Sequence, residues 1–153
     1  MGTYLVRGGK RIEGDFAVRG SKNAALPILA ACVLAADEVV LENLPQIRDV
    51  SQTLEILREL GCSDTLTERT AVIDSREMQA IALCGEAVRK MRSSILFLGA
   101  MLGRSGAGRI AYPGGCAIGK RPIDLHLAAF RRMGVSITEE NEILDCRVER
   151  LQG

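Results

Sequence analysis

A cysteine set among glycines and cations is the residue best suited to chemistry in this sequence. Residues 114–121 read GGCAIGKR, so Cys116 follows two glycines and precedes Lys120 and Arg121. Neighbouring positive charges lower the cost of forming a thiolate and make a sulfur more reactive. Glycines let a backbone approach a ligand closely. The pattern favours a reactive thiol beside an anionic substrate, although a small apolar residue in a surface loop would also fit.

Two further cations stand where helices are predicted to begin. Lys22 and Arg92 open the aliphatic runs KNAALPILAACVLA and RSSILFLGAMLG. A cation is misplaced there, because that end of the helix dipole is already positive. A bound anion would explain both residues, since backbone N–H groups and a basic side chain together form a phosphate or carboxylate site. The alternative is that both side chains are solvated.

The segment RPIDLHL after the cysteine loop predicts another helix, opened by Arg121 with Pro122 at a tolerated position. Asp124 falls in the first turn of this predicted helix. It is interpreted either as a capping acid, which the helix dipole stabilises, or as a ligand contact. His126 is the single histidine, and no Ser or Asp spacing supports a triad, which favours a structural or surface role. The sequence contains no metal-ligand cluster and neither GxGxxG nor GxxxxGK[ST].

These residues lie in two similar segments. Each predicts a helix, a strand, a second helix and two short extended segments. The second helices begin at Arg48 and Arg121, 73 residues apart, whereas the first begin 70 apart, so three extra residues fall in or beside GGCAIGK. Gly61 and Gly134 are predicted to end the second helices. Apolar residues recur at helical spacing in both, at Val50, Leu54, Leu57 and Leu60, and at Ile123, Leu127, Phe130 and Met133.

The expected fold is α/β (α+β), built from repeated βαβαββ units. Residues 1–20 contain the predicted strands TYLVRG and DFAVRG, residues 21–85 the first unit, and residues 86–153 the second unit with the cysteine loop. A repeat architecture usually needs about three copies to bury a continuous core. The chain is therefore expected to be an incomplete assembly.

Composition restricts the function classes. The 153 residues are 47% apolar and 25% charged, which is typical of a soluble globular domain. A net charge of +1 with both signs interspersed predicts neither a nucleic-acid nor a membrane partner. The longest apolar run, residues 24–36, is too short to span a bilayer, and no secretory signal is present. Five cysteines without a CxxC pair predict free thiols in the cytoplasm.

Four stretches taken together resemble the first part of the UDP-N-acetylglucosamine 1-carboxyvinyltransferase (MurA) family. They are GSKNAALPILAACVLA, VVLENLPQIRDV, MRSSILFLG and YPGGCAIGKRPIDLHL, in the order of that family. The Lys-Asn pair and the Pro-Gly-Gly-Cys loop carry the resemblance. The related enolpyruvylshikimate-phosphate synthases open their first helix with Gly-Ser-Lys-Ser and lack this loop, so they match less well.

The resemblance implies the inside-out α/β barrel fold and a transferase that needs no cofactor. The enolpyruvyl group of phosphoenolpyruvate would pass to the 3-hydroxyl of UDP-N-acetylglucosamine with release of phosphate, the first committed step of peptidoglycan precursor synthesis. Cys116 would be the general acid and the target of fosfomycin. Phosphoenolpyruvate would be bound by Lys22, Arg92 and Arg121. The sugar nucleotide would contact Asn23, Arg121, Pro122, Ile123, Asp124, Leu125 and His126.

Members of that family are nearly three times as long and fold as two domains of three βαβαββ units each. By this resemblance, residues 1–20 would belong to the other domain, and the general base would lie outside the chain. The initial Met predicts a natural N-terminus, with the absent part following Gly153. Two hypotheses follow: an enolpyruvyl transferase represented by its N-terminal part, or an inactive sugar-nucleotide or phosphate-binding module that needs a complementary chain.

Overall fold

The computed structural model describes residues 3–79, 82–114 and 122–153. The helices in these ranges are α1 (Lys22–Ala35), α2 (Arg48–Glu59), α3 (Glu86–Lys90), α4 (Ile95–Ser105) and α5 (Asp124–Arg132). The strands are β1 (Glu38–Leu41), β2 (Ser63–Leu66), β3 (Ala71–Asp74), β4 (Ala82–Leu83), β5 (Ala107–Ala111), β6 (Ser136–Glu140) and β7 (Ile143–Arg147).

The predicted repeat is present in the order of the elements. The first unit runs α1, β1, α2, β2, β3, and the second runs α4, β5, α5, β6, β7. In the second unit β4 precedes the helices and completes the βαβαββ order. The predicted α/β fold is confirmed, and the division of the chain at residue 85 stays a prediction.

Each unit forms its own sheet. The first has the order β1-β3-β2 and is antiparallel throughout. The second has the order β4-β5-β7-β6, with β4 parallel to β5 and the other pairs antiparallel. Ile110 of β5 lies opposite Leu144 of β7, and both side chains are buried. Alternate residues of these strands therefore contribute to the core, as the period of a strand requires.

The two apolar helices α1 and α4 pack against each other. A Cβ atom on Gly103 would lie 3.0 Å from Cδ2 of Leu34, so the absence of a side chain lets the helices approach closely. The guanidinium of Arg104 donates to the carbonyl of Val33 at 2.8 Å, which satisfies one free acceptor at the end of α1. Ile28 and Leu34 stay about half exposed, at 48% and 51%, so α1 has an uncovered apolar side.

The helices α2 and α5 end in the same way. Beyond α2, the N–H of Cys62 donates to the carbonyl of Leu57, and beyond α5 the N–H of Val135 donates to the carbonyl of Phe130, both at 3.0 Å. The intervening glycines, at positions 61 and 134, have φ of +92° and +89°. Glycine adopts this left-handed conformation without a Cβ penalty. Both predicted helix ends are confirmed.

The predicted start of the last helix is wrong by three residues. The sequence predicts a helix opened by Arg121, whereas α5 begins at Asp124. Ile123 has a non-helical φ of −109° and ψ of 11°, and its carbonyl accepts the N–H of Leu127. Proline disfavours helical geometry in the residue before it and cannot donate a hydrogen bond itself. Pro122 therefore precedes the helix.

The two strands predicted at the N-terminus are absent from residues 3–20 as the structure describes them. Nearly all of these residues are exposed, including Tyr4, Ile12 and Phe16. A strand needs a neighbour to pair its backbone groups, and this segment has none among the described residues. Its assignment to another domain stays a prediction. No described helix is long and apolar enough to cross a membrane.

Candidate anion-binding site

A cleft of about 610 Å³ lies where the beginnings of several helices from both units meet. One wall comes from the first turns of α1 and α2. The other comes from the segment between α3 and α4, from Gly114 three residues after β5, and from α5. The lining residues are Lys22, Asn23, Leu26, Asp49, Gln52, Lys90, Met91, Arg92, Ser93, Ile95, Leu96, Gly114 and His126.

The helix beginnings supply hydrogen-bond donors as well as charge. Lys22 is the first residue of α1, and Arg92 is the first residue of the 3-10 turn Arg92–Ser94 that leads into α4. Neither N-cap residue, Ser21 or Met91, makes a side-chain capping bond. The first N–H groups of a helix have no partner within it, and they favour negative charge. The cleft therefore combines cationic side chains with free backbone donors.

Lys22 pairs with a carboxylate on the same wall of the cleft. Its Nζ lies 2.5 Å from Oδ2 of Asp49, in the first turn of α2. The two side chains are 53% and 36% exposed, so water and dissolved ions have access to the pair. The ammonium is thus held near the start of α2, where a second set of helical N–H groups begins.

The turn that carries Arg92 is fixed from beneath by two buried hydroxyls. Ser94 is fully buried, and its Oγ donates to the carbonyl of Met91 at 2.6 Å, with the carbonyl of Val88 at 3.1 Å. Thr53 of α2 is buried too, and its Oγ1 lies 2.8 Å from the carbonyl of Asp49 and 3.5 Å from Sδ of Met91. These contacts set the position of Arg92 relative to α2.

Gly114 makes the closest backbone approach at the cleft. A Cβ atom added there would lie 1.7 Å from the carbonyl oxygen of Arg89, at the end of α3. No other residue type fits without separating the two backbones. The backbone at Gly114, three residues after β5, is therefore held against Arg89 at the end of α3, which leads to Arg92.

The structure brings four of the predicted site residues to one place. Lys22, Asn23, Arg92 and His126 all line the cleft. The remaining described residues of the predicted sugar-nucleotide site do not line it: Ile123 is buried, and Pro122, Asp124 and Leu125 are exposed nearby at the start of α5. Cys116 and Arg121, like Lys120, lie outside the described residues. The roles of all these residues stay predictions.

Sequence reasoning missed four polar residues of the cleft: Asp49, Gln52, Lys90 and Ser93. From the sequence, Asp49 is an ordinary acid in the first turn of a helix, where the helix dipole stabilises a carboxylate without any further partner. Its partner is 27 positions away, beyond the reach of helical periodicity. The cation Lys90 is paired with Glu86 at 2.5 Å, one turn earlier in α3. The position of Lys22 at a helix N-terminus was the available signal for Asp49, because a cation there predicts a nearby anion.

Three cysteines outside the predicted catalytic loop, Cys32, Cys62 and Cys146, are buried. Burial raises the pKa of the Cys32 and Cys146 thiols to about 11, and it raises the pKa of the Cys62 thiol as well. The thiolate is the reactive form, so these thiols are expected to react slowly near neutral pH. Cys84 differs, because it is only half-buried.

An α/β fold with cations and helix beginnings around one cleft is an arrangement suited to anionic ligands. Comparison with known families makes the class specific. The family model described as EPSP synthase (3-phosphoshikimate 1-carboxyvinyltransferase) matches residues 6–153. Since this is nearly the whole sequence, the chain belongs to that family of carboxyvinyltransferases.

Curated relatives match over the whole chain. It is 43% identical over 153 residues to the UDP-N-acetylglucosamine 1-carboxyvinyltransferase of Solidesulfovibrio magneticus and 40% identical to UDP-N-acetylglucosamine 1-carboxyvinyltransferase 2 of Caldanaerobacter subterraneus subsp. tengcongensis. Each match covers 100% of this chain and 37% of the relative. The chain thus spans a little over a third of the length of these proteins.

Solved structures of the family share the fold. The enolpyruvyl transferase NikO from Streptomyces tendae superposes with a TM-score of 0.79 at 25% identity, covering 95% of this chain and 32% of NikO. EPSP synthase from Acinetobacter baumannii gives a TM-score of 0.69 at 21% identity, covering 95% of this chain and 35% of that enzyme. Both are enolpyruvyl transferases of mixed helix and sheet, which confirms the fold predicted from the resemblance.

Proposed function

We propose that this chain is the N-terminal part of a UDP-N-acetylglucosamine 1-carboxyvinyltransferase. The observation that carries the proposal is the match at 40–43% identity to relatives of that name over every residue of the chain. The cleft supports it with a chemical reason, because Lys22 and Arg92 meet there beside free helix N–H groups. The proposed activity places the protein in the cytoplasm, in cell-wall biogenesis and so in cell shape and division.

Phosphoenolpyruvate carries a phosphate and a carboxylate, and the cleft offers cations for both. Lys22 on α1 and Arg92 on the 3-10 turn approach from different units. Arg121 would add a third cation from the segment outside the described residues. A guanidinium binds carboxylate or phosphate with two parallel hydrogen bonds, whereas an ammonium acts as a compact charge. Together they would hold the substrate and stabilise charge that develops on the leaving phosphate.

Cys116 would act as the general acid in this proposal. The 3-hydroxyl of the sugar adds to C2 of phosphoenolpyruvate while the thiol gives its proton to C3. The hydroxyl proton passes to a base outside this chain. Loss of phosphate from the tetrahedral intermediate, together with removal of a proton from C3, forms the enolpyruvyl ether. No redox change occurs, so the step balances without a cofactor.

Sugar-nucleotide binding is proposed for the part of the cleft between the first turn of α1 and α5. Asn23 follows Lys22 in the first turn of α1, and His126 faces the cleft from α5. The uridine part would contact Pro122 and Ile123, which precede α5, and Asp124 and Leu125, which begin it. Asn23 supplies an amide that donates and accepts hydrogen bonds, as recognition of a sugar hydroxyl or carbonyl requires.

The alternative is an inactive sugar-nucleotide or phosphate-binding module that needs a complementary chain. The chain covers 37% of each relative, so activity of the whole protein is proposed for it and not shown. Such a module would bind phosphoenolpyruvate or the sugar nucleotide weakly and would show no turnover.

The test is phosphate release from phosphoenolpyruvate in the presence of UDP-N-acetylglucosamine, for the wild-type chain and for Cys116→Ser. Turnover that is lost in the variant supports transferase activity of this chain. Absence of turnover, with measurable binding of either substrate, supports the binding module.

Fosfomycin labelling tests the proposed role of the cysteine separately from turnover. With UDP-N-acetylglucosamine present, Cys116 is expected to be modified first, because Cys32, Cys62 and Cys146 are buried. Peptide mass spectrometry locates the label. Equal labelling of Cys84 and Cys116 would contradict the proposal, since Cys84 is the other cysteine with some exposure.

A further inference from the structure

Asp49 is the single carboxylate among the described residues that line the cleft. The acidic partner of Lys90, by contrast, is Glu86, which lies on α3 outside the lining. Asp49 therefore places a negative charge inside a cleft whose other charged groups, Lys22, Lys90 and Arg92, are cations. A fixed carboxylate at this position opposes the binding of any anionic ligand.

The carboxylate of Asp49 contacts the same ammonium that an anion would need. Its Oδ2 lies 2.5 Å from Nζ of Lys22, so the two groups form a direct ion pair. The backbone of Asp49 is anchored separately, because its carbonyl accepts the buried hydroxyl of Thr53 at 2.8 Å. The side chain is about a third exposed and so can turn toward water without disturbing that anchor.

We infer that Asp49 is a resident counter-anion, which the phosphate or carboxylate of the ligand displaces from Lys22. Ligand binding is then an exchange: the Lys22–Asp49 ion pair breaks, an ion pair between Lys22 and the ligand forms, and the Asp49 carboxylate moves into water. The inference rests on the proposed function to the extent that the cleft binds an anion through Lys22. The exchange keeps Lys22 oriented toward the cleft when no ligand is bound, at the cost of part of the affinity.

The size of the effect follows from the exposure of the pair. Partly exposed ion pairs contribute up to about 1 kcal/mol, which corresponds to about a fivefold change in a dissociation constant. Asp49→Asn keeps the shape of the side chain and removes its charge. The dissociation constant for inorganic phosphate is therefore expected to fall about two- to fivefold in this variant.

The experiment is a titration of the chain with inorganic phosphate, followed by NMR, for wild type, Asp49→Asn, Lys22→Met and Glu86→Gln. Lys22→Met is expected to weaken binding strongly. Glu86→Gln is the matched control, because it removes an acid that pairs with another cation of the cleft but lies outside the lining. Its dissociation constant is expected to stay within about twofold of the wild-type value. Asp49→Ser replaces Asp49→Asn if the latter is unfolded.

The outcomes separate this inference from the proposed function. If phosphate binds the wild-type chain and Lys22→Met equally, or binds neither, then neither the proposed anion site nor the exchange holds. If binding depends on Lys22 but Asp49→Asn is unchanged or weaker, only the exchange is overturned, and Asp49 orients Lys22 instead. In the wild-type chain, phosphate should shift the carboxyl carbon resonance of Asp49 with the same dissociation constant as the ammonium resonance of Lys22. A static Asp49 resonance overturns the exchange independently of any variant.

Discussion

The backbone contact at Gly114 determines how close the walls of the cleft come. The carbonyl of Arg89 occupies the space where a side chain would begin, and a backbone atom cannot move aside as the end of a flexible side chain can. Gly99, in the middle of α4, is the opposite case. A Cβ atom there would lie 3.5 Å from Cζ of Phe130, which is an ordinary van der Waals distance.

Gly114→Ala is expected to separate the connection after β5 from α3 and to shift Arg92. Phosphate binding should weaken at least several-fold, and the free energy of unfolding should fall by about 1–3 kcal/mol, as for other overpacked sites. Gly99→Ala is the matched control and should stabilise the chain by about 0.5–1 kcal/mol, because alanine favours a helix over glycine. Urea unfolding and a phosphate titration measure both effects. Equal results for the two variants would contradict the steric argument.

The residue types at the cleft were partly readable from the sequence. Lys22 and Arg92 stand at the wrong end of a helix dipole, and that local conflict identified them without any knowledge of the fold. Asp49 gave no such conflict, because an acid in the first turn of a helix is favourable in itself. Its role depends on a contact between α1 and α2 that only the packed structure provides.

At the scale of elements, the turn before α4 depends on the buried hydroxyl of Ser94 together with that of Thr53. Where α3 has ended and α4 has not begun, the Ser94 hydroxyl donates to the carbonyl of Met91 at 2.6 Å and lies 3.1 Å from that of Val88. The sequence predicted a single helix beginning at Arg92. The observed α3 and the 3-10 turn were missed because a five-residue helix is too short to show periodicity.

Ser94→Ala is expected to lower the free energy of unfolding by about 0.5–1.5 kcal/mol, because the buried hydrogen bond from its hydroxyl to the carbonyl of Met91 is lost. Phosphate affinity should fall as well, since the turn that presents Arg92 loosens. Ser51→Ala, at an exposed position in α2, is the control and should change neither quantity by more than about 0.5 kcal/mol. Thermal unfolding and the phosphate titration provide the test. Unchanged affinity in a destabilised Ser94→Ala chain would show that Arg92 does not depend on this hydroxyl.

Periodicity predicted the elements far better than their ends. The apolar spacing of α2 survives in full, with Val50, Leu54, Leu57 and Leu60 all buried. Along α5 and its two cap residues, only Ile123 and Leu127 are buried, while Phe130 and Met133 are half-buried. The same spacing therefore buries less apolar surface here than in α2. Spacing identifies the apolar side of a helix, but the depth of burial depends on what packs against it.

At the scale of the whole molecule, apolar side chains at the N-terminus are exposed to an unusual degree. Tyr4, Leu5, Val6, Ile12, Phe16 and Val18 are each at least 80% exposed. The segment is anchored at its end, because Gly20 packs so closely on the carbonyl of Asn43 that a Cβ atom would lie 2.2 Å from its oxygen. Contiguous exposed apolar surface of this kind marks an interaction site or a tendency to associate.

The chain is therefore expected to self-associate as its concentration rises, and removal of residues 3–18 should reduce the association. The truncated chain should keep its thermal midpoint within about 2 °C, because the removed side chains contribute almost nothing to the core. Sedimentation velocity at several concentrations, with a thermal scan, measures both. A full-length chain that stays monomeric throughout contradicts this expectation, and a large fall in the midpoint would show that the segment stabilises the fold.

The cleft is built from both units, and this links ligand binding to the cooperativity of unfolding. Lys22 and Asp49 come from the first unit, while Arg92, Gly114 and His126 come from the second. A ligand that contacts both sides binds only when the two units are folded together, so each unit gains stability from the other's presence. At a hundredfold excess over its dissociation constant, a ligand adds about 2.7 kcal/mol to the folded state. A small anion would thus strengthen the coupling that the packing of α1 on α4 already provides between the two repeats.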